Sequence, residues 1–187
     1  MKLEEINTSE EDAWSFVESS DLSGLHNRDK KFWVSFLIYN SVAAKKIYAF
    51  LRNAAFENWN KLPNIEKERD IWLTFAASKN INPWPWGTLY RVTPIPRGVT
   101  WTVGQKIVYE NKHVSYWSQT KSWALNFVDE DTATALIFTE QNNDNILFDL
   151  NLLPFPGGNL SNHREDEIIY RPGKIEATVI KLFNLDE

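Results

Sequence analysis

Two glutamates stand two positions apart near the end of the chain, in the run EDEIIYRPG at 165–173. The apolar residues after the first acid predict a strand over 166–170, followed by a Pro-Gly turn. Side chains at i and i+2 of a strand point to the same face, so Glu165 and Glu167 would aim at one spot. Placing like charges side by side is unfavourable, which favours a functional site. The alternative is an edge strand whose charges stay in water.

Two further patterns precede this pair. Arg91 lies in the apolar run LYRVTPI at 89–95, and Ser118 follows the apolar run HVSYW at 113–117. The planar guanidinium of an arginine can hold a phosphate or a carboxylate, although an arginine in such a run, taken alone, is more often a snorkelling or salt-bridged side chain. Ser118 by itself indicates little, since it could simply cap the helix that follows the strand.

The elements that must hold these residues change in type along the chain. Helices are predicted over 9–19, 29–60 and 64–79, the first from a capping box at Ser9 and Asp12 and the second with a break at Asn40-Ser41. After the Pro-rich run at 82–87, a helix over 120–128 is predicted to turn Trp123, Ala124 and Phe127 inward. Strands are predicted over 89–95, 106–110, 113–117, 133–140, 145–150, 166–170 and 176–183. The pattern indicates an α+β protein with a helical N-terminal region.

Composition narrows the classes of function. The chain has 187 residues and a net charge of −5, which does not indicate a nucleic-acid binder, although local binding stays open. It has no cysteine, and its three histidines are far apart in the sequence, so neither a thiolate site nor a metal enzyme is expected. No apolar run is long enough to cross a membrane, and the acidic N-terminus does not resemble a signal peptide.

Taken in order, the three patterns resemble the arginine–serine–glutamate class of mono-ADP-ribosyltransferases, in the branch of clostridial binary toxins and phage T4-type modifying enzymes. In that family one strand carries an LYR-like arginine. A second carries Ser-x-Ser followed by a helix with A-x-x-F, and a third carries Glu-x-Glu before a glycine turn. The resemblance covers about residues 88–183. It implies a mixed β-sandwich ADP-ribosyltransferase core over 83–187, preceded by a helical region over 1–82 that has no counterpart.

The resemblance also implies a set of residues for NAD, which would be the co-substrate, with no metal. Arg91 would hold the pyrophosphate, and the backbone of Val92 would hold the nicotinamide carboxamide. Phe127 would pack on the nicotinamide ring. Ser118 matches the second serine of Ser-x-Ser, whereas the first falls on Tyr116, whose hydroxyl would have to support the catalytic glutamate from farther out.

The two glutamates would then have separate roles. Glu167 matches the catalytic residue, which would hold the ribose 2′-hydroxyl and stabilise the oxocarbenium ion as nicotinamide leaves. Glu165 matches the first acid of the motif, which would bind an acceptor guanidinium and take its proton. The expected activity is therefore transfer of ADP-ribose from NAD to an arginine of a protein. An NAD glycohydrolase and a non-catalytic binding module that keeps the fold are the alternatives.

The sequence indicates less about the protein substrate and about the cellular location of the reaction. The loop at 151–164 occupies the place of the target-reading loop of the family, so Phe155 is the candidate contact with a protein substrate; packing of Phe155 onto the core is the alternative. The absence of a secretion signal favours action in the cytoplasm of the producing cell. Delivery without a signal peptide would instead place the protein in a host-cell cytoplasm.

Overall fold

The computed structural model describes residues 8–55, 62–85, 87–140, 142–156 and 167–184. These residues form two compact units. The described residues of the helical unit fall within Met1–Pro83 and Leu152–Asn162, and those of the sheet unit fall within Trp84–Asn151 and His163–Glu187. A short segment from the second half of the sequence therefore belongs to the helical unit.

The described residues of the helical unit form four α-helices and one 3₁₀ turn at Asp21–Gly24. The helices are α1 (Glu10–Glu18), α2 (Asn27–Tyr39), α3 (Ser41–Ala55) and α4 (Glu66–Ser78). The predicted break at Asn40 is confirmed, because the Asn40 side chain accepts the amide hydrogen of Ala43 at 2.9 Å and so begins α3. The predicted cap at Ser9 is confirmed as well, with Oγ accepting the amide hydrogen of Asp12 at 3.0 Å.

Aromatic rings fill the core of the helical unit. Trp33 and Phe36 of α2 face Trp72 and Phe75 of α4, and all four are at most 1% exposed. The rings of Phe36 and Phe75 are stacked with centroids 4.8 Å apart. Each large ring removes an extensive apolar area from water. Burial of this cluster therefore contributes much of the free energy that holds α2 against α4.

The sheet unit contains seven strands in the order β2-β7-β4-β1-β3-β6-β5, and every pairing is antiparallel. The α+β class with a helical N-terminal part is confirmed; the sheet is antiparallel throughout, where a mixed one was expected. The strands are β1 (Thr88–Pro94), β2 (Lys106–Asn111), β3 (Ser115–Ser118), β4 (Thr134–Glu140), β5 (Ile146–Asp149), β6 (Glu167–Tyr170) and β7 (Gly173–Phe183).

The sheet curls over its own core. Three strands separate β2 from β3 along the ladder, a distance of about 19 Å in a flat sheet. The rings of Tyr109 on β2 and Trp117 on β3 nevertheless lie 5.8 Å apart. The core between them takes buried residues from all seven strands. One residue pair, Tyr90 with Ser118, joins β1 to β3, so the four-stranded and three-stranded parts of the sheet meet at a narrow junction.

The predicted helix over 120–128 is only partly formed. One α-helical turn, α5 (Lys121–Ala124), continues as a 3₁₀ turn at Leu125–Phe127, as is common for short helical segments. Leu125 and Val128 pack beside the buried Ala124. Because they take the inward positions, Phe127 is 58% exposed, and the expectation that it faces inward was wrong.

Among the described residues, no helix has the length and apolar character that a membrane span requires. The same residues contain no cluster of three or more histidine, cysteine, aspartate or glutamate side chains placed to hold a metal ion.

Candidate active site

The register of β3 against β6 pairs Ser118 directly with Glu167, and it pairs Tyr116 with Ile169. Directly opposed residues of an antiparallel pair have Cβ atoms about 5 Å apart and point to the same face. Ser118 is the last residue of β3 and Glu167 is the first of β6. The serine and the glutamate are therefore neighbours at the end of this strand pair, whereas Tyr116 stands one pair farther along the same face.

The Ser118 side chain also fixes the start of α5. Its hydroxyl accepts the amide hydrogen of Thr120 at 3.0 Å and donates to the Thr120 carbonyl at 3.1 Å. Thr120 precedes α5 but makes no side-chain cap of its own. Ser118 was expected to cap the following helix, and it instead forms a turn with the backbone of Thr120. This turn connects the end of β3 to α5, which continues into the 3₁₀ turn that carries Phe127.

Arg91 extends from β1 to the backbone of β3. Its Nη1 donates to the Tyr116 carbonyl at 2.5 Å, and its Cζ lies 5.6 Å from the centre of the Tyr109 ring. Contacts of a guanidinium with an aromatic face at this distance are attractive. The Nε atom of Arg91 is buried and has no hydrogen-bond partner among the protein atoms described. The described part of the chain therefore supplies no acceptor for this donor of the guanidinium.

Arg91 and the Ser118–Glu167 pair lie on opposite sides of the sheet. Tyr109, which Arg91 contacts, packs edge-on against Trp117, and strand alternation puts Trp117 and Ser118 on opposite faces of β3. The Tyr116 carbonyl that binds Arg91 is two residues from Ser118, a rise of about 7 Å along a strand. Arg91, Ser118 and Glu167 thus lie near the point where β1 meets β3. Arg91 is on one face of the sheet, and Ser118 and Glu167 are on the other.

The remaining residues predicted to bind NAD lie around α5. The Val92 side chain is 8% exposed and packs with Ala124 and Leu136, and along the ladder Val92 pairs with Leu136 of β4. Phe127 contacts Trp123 edge-on, with centroids 6.3 Å apart. The indole nitrogen of Trp123 is another buried donor without a protein partner among the described residues, as Arg91 Nε is. Buried donors are normally satisfied, and two unsatisfied ones here suit a ligand rich in acceptors.

The other two predicted residues are Glu165 and Phe155. Glu165 lies outside the described residues. Phe155 belongs to the helical unit, where its ring is 5.8 Å from that of Tyr48. The Phe155 side chain is half-buried, so this ring packs within the unit and is not a freely projecting tip.

Sequence reasoning missed Tyr109 and Trp123 as neighbours of the site. Tyr109 stands on a predicted strand, and no local signal links it to Arg91, 18 residues earlier by number. The contact arises only because the sheet curls. Trp123 could have been recognised from the sequence, because it precedes Phe127 by four positions in the same predicted helix.

The sheet unit also has an open depression of about 1340 Å³, lined by parts of β2, β4 and β7 and by the turn after β4. None of the predicted site residues lines it. Its charged lining residues carry both signs: Lys106, Glu140, Asp144, Lys174 and Glu176. This depression is separate from the junction formed by Arg91, Ser118 and Glu167.

Neither a scan against protein-family models nor a search of curated proteins finds a match to this chain. A search of solved structures returns structures of ADP-ribosyltransferase Vis, a toxin from Vibrio splendidus. Its complex with the M6 inhibitor has 15% identity and a TM-score of 0.38, covering 90% of this chain and 78% of that one.

The Vis toxin structure has 16% identity and a TM-score of 0.32, covering 92% of this chain and 76% of the other. The Vis complex with agmatine has 15% identity and a TM-score of 0.34, covering 100% and 82%. Because each TM-score is below 0.5, we base the proposal below on the residues of this chain.

Proposed function

We propose that this protein is an NAD-dependent mono-ADP-ribosyltransferase that modifies an arginine of a protein. The observation that carries the proposal is the direct pairing of Ser118 with Glu167. On the opposite face of the sheet, Arg91 is held in place by the Tyr116 carbonyl. A carboxylate, a hydroxyl that can orient it and a fixed cation are the groups that cleavage of a dinucleotide requires. Their sequence order follows the resemblance described above.

The residues suited to hold NAD include two whose buried N–H groups have no acceptor among the described residues. Arg91 would bind the pyrophosphate, since its Nε has no hydrogen-bond partner among the described residues and guanidinium–phosphate contacts are charge-assisted. Phe127, which is 58% exposed, would cover the nicotinamide ring, and the Trp123 indole would donate to an acceptor of the same ligand. The dinucleotide would pass around the end of β3, since Arg91 and Glu167 lie on opposite sides of it.

Glu167 would act on the bond between ribose and nicotinamide. As that bond breaks, its electron pair leaves with nicotinamide, and positive charge develops on the ribose. A carboxylate fixed nearby stabilises this charge in the transition state, provided that it is already oriented. The register supports assigning the orienting role to Ser118, in place of the Tyr116 hydroxyl that the resemblance assigned to it. The Ser118 hydroxyl has one hydrogen, which would turn from the Thr120 carbonyl to the Glu167 carboxylate when the ligand is bound.

Glu165 would select the acceptor. A guanidinium stays protonated at neutral pH and is therefore a poor nucleophile. A carboxylate that binds it can remove one proton as its nitrogen forms the bond to the ribose carbon. Release of nicotinamide needs only Glu167, so the two acids can be separated by experiment.

The test measures nicotinamide release from NAD and transfer of labelled ADP-ribose to proteins of a cell lysate. We expect Glu167→Gln to lower both rates by about 100-fold or more, as when one preorganised transition-state contact is lost. We expect Glu165→Gln to abolish transfer and to keep nicotinamide release. Glu176→Gln, which changes an exposed acid of the same sheet, serves as the matched control.

The outcomes separate the proposal from its alternatives. Nicotinamide release without transfer to any protein or small guanidine would identify an NAD glycohydrolase. Binding of NAD without release would identify a binding module. Unchanged rates in Glu167→Gln would show that the site has been assigned to the wrong residue.

A further inference from the structure

A buried carboxylate fixes the turn that follows β5. Asp149 is the last residue of this strand and is 4% exposed. Its Oδ1 accepts the backbone amide hydrogen of Asn151 at 2.8 Å and a hydrogen of the Asn151 side-chain amide at 3.0 Å. An aspartate that binds the backbone two residues ahead closes a turn of the chain. Because burying an acid is costly without such hydrogen bonds, the carboxylate and the turn stabilise each other.

The same turn holds the first residue of β6. Leu150 lies inside the turn, and its amide hydrogen donates to the Glu167 carbonyl at 2.9 Å. The ladder then continues with Asp149 opposite Ile168. Since β6 lies between β5 and β3 in the sheet, Glu167 has Leu150 as its neighbour on one side and Ser118 on the other.

We propose that Asp149 is a positioning residue for Glu167, a role that rests on the proposed function. The carboxylate fixes the direction of the Leu150 amide, and this amide holds the backbone of Glu167. All of these residues, with Asn151, belong to the sheet unit. Without the carboxylate the turn gains conformational freedom, and β6 frays at the end that carries the candidate catalytic acid. Glu167 then spends less time in the orientation that the developing positive charge on the ribose requires.

This role predicts a change in kcat with little change in KM. In Asp149→Ala we expect kcat for nicotinamide release to fall about tenfold, the scale of one hydrogen bond to a charged group. KM for NAD should stay within about twofold, because Arg91, proposed to bind the pyrophosphate, lies on β1 and is held by the Tyr116 carbonyl. Asp149→Asn keeps an acceptor oxygen at the same place, so its kcat should stay within about threefold of the wild type.

Hydrogen exchange gives a readout that does not depend on catalysis. The Leu150 amide, followed by NMR, should exchange about tenfold faster in Asp149→Ala than in the wild type. Asp129→Ala is the matched control, because Asp129 Oδ1 accepts the amide hydrogen of Asp131 at 2.9 Å and closes a turn of the same kind elsewhere in the sheet unit. This control should leave Leu150 exchange unchanged and kcat within about twofold.

A milder variant keeps the test decisive if Asp149→Ala does not fold. Asn151→Ala removes the side-chain donor at 3.0 Å and keeps the backbone one. It should change kcat and Leu150 exchange in the same direction as Asp149→Ala, by about threefold.

The results bear on the turn and on the enzyme separately. If Leu150 exchanges no faster in Asp149→Ala than in Asp129→Ala, the carboxylate does not hold the turn and the inference is overturned. Faster exchange with an unchanged kcat would overturn the positioning role alone. If the wild-type protein turns over no NAD, the proposed function fails, while the exchange measurement still decides whether Asp149 holds the chain beside Glu167.

Discussion

At the scale of single residues, the site depends on which hydroxyl stands beside Glu167. The sequence motif placed Tyr116 in that role, with Ser118 as the second serine of the pattern. The register places Ser118 opposite Glu167 and Tyr116 opposite Ile169. A serine hydroxyl on a directly opposed residue can reach a carboxylate without the long arm of a tyrosine. The departure from the family pattern at Tyr116 is therefore less consequential than the motif alone suggests.

This reassignment predicts different effects for two hydroxyl deletions. Ser118→Ala should lower kcat for nicotinamide release by about five- to tenfold, the scale of one hydrogen bond to a charged group. Tyr116→Phe should leave kcat within about twofold. Ser118 also holds the backbone of Thr120, so Ser118→Thr, which keeps a hydroxyl, should restore part of the rate. A larger loss in Tyr116→Phe than in Ser118→Ala would return the orienting role to Tyr116.

At the scale of elements, β6 joins the candidate site to the core of the sheet. Glu167 begins this strand and Tyr170 ends it. The Tyr170 ring is fully buried and lies 5.5 Å from that of Trp117. Burial raises the pKa of the Tyr170 hydroxyl to about 12, an effect that the backbone of Asn142 offsets only in part. Gly173 then turns the chain into β7 with a φ of +142°, which residues with a side chain rarely adopt.

The raised pKa of Tyr170 makes β6 sensitive to alkali. In the unfolded chain the hydroxyl ionises near its ordinary pKa of 10.0, whereas in the folded protein it stays neutral to about 12. The resulting stabilisation is complete below pH 10 and is lost as the pH rises from 10 towards 12. Between pH 9 and pH 11 the free energy of unfolding should therefore fall by about 1 kcal/mol more in the wild type than in Tyr170→Phe.

Urea unfolding of the two proteins at pH 9 and pH 11 measures this difference. Lysines also lose their charge in this range, but they do so in both proteins, so their contribution cancels in the comparison. An equal loss in the wild type and in Tyr170→Phe would mean that the hydroxyl ionises in the folded state as easily as in the unfolded one.

At the scale of the whole molecule, sequence order and spatial order differ in one place. The helical unit takes in Leu152–Pro156 from the second half of the chain, through the buried Leu153, the Phe155 ring and the Pro154 carbonyl, to which the Trp33 indole donates at 2.7 Å. A cut between residues 83 and 84 therefore does not separate two self-sufficient pieces. It exposes Leu153 in one fragment and leaves the Trp33 indole without its acceptor in the other.

We therefore expect a fragment of residues 1–83 to be less stable by itself than the helical unit is in the full chain. Loss of the buried Leu153 side chain costs about 2 kcal/mol, and the unpaired buried indole of Trp33 costs about 1–3 kcal/mol more. Adding a fragment of residues 84–187 should increase the dispersion of the amide signals in the NMR spectrum of 1–83. A fragment 1–83 that unfolds at the same temperature alone as the helical unit does in the full chain would contradict this expectation.

Local patterns in the sequence were enough to predict most of the elements and the candidate acids. The capping box at Ser9, the break at Asn40-Ser41 and the period of the apolar residues identified the helices, because these signals act over a few residues. Alternation identified the strands for the same reason, and the i, i+2 spacing of Glu165 and Glu167 follows directly from strand geometry. The α+β class could therefore be stated before any coordinate was known.

Only the tertiary structure decided which of these residues are neighbours. The opposition of Ser118 and Glu167, the contact of Arg91 with Tyr109 and the hydrogen bond from Trp33 to Pro154 join positions that are 18 to 121 residues apart. Such contacts depend on strand register and on how a sheet curls, and a shift of one residue would reverse every side chain. The two glutamates were visible as a pattern in the sequence, but the partner of Glu167 was determined by the fold.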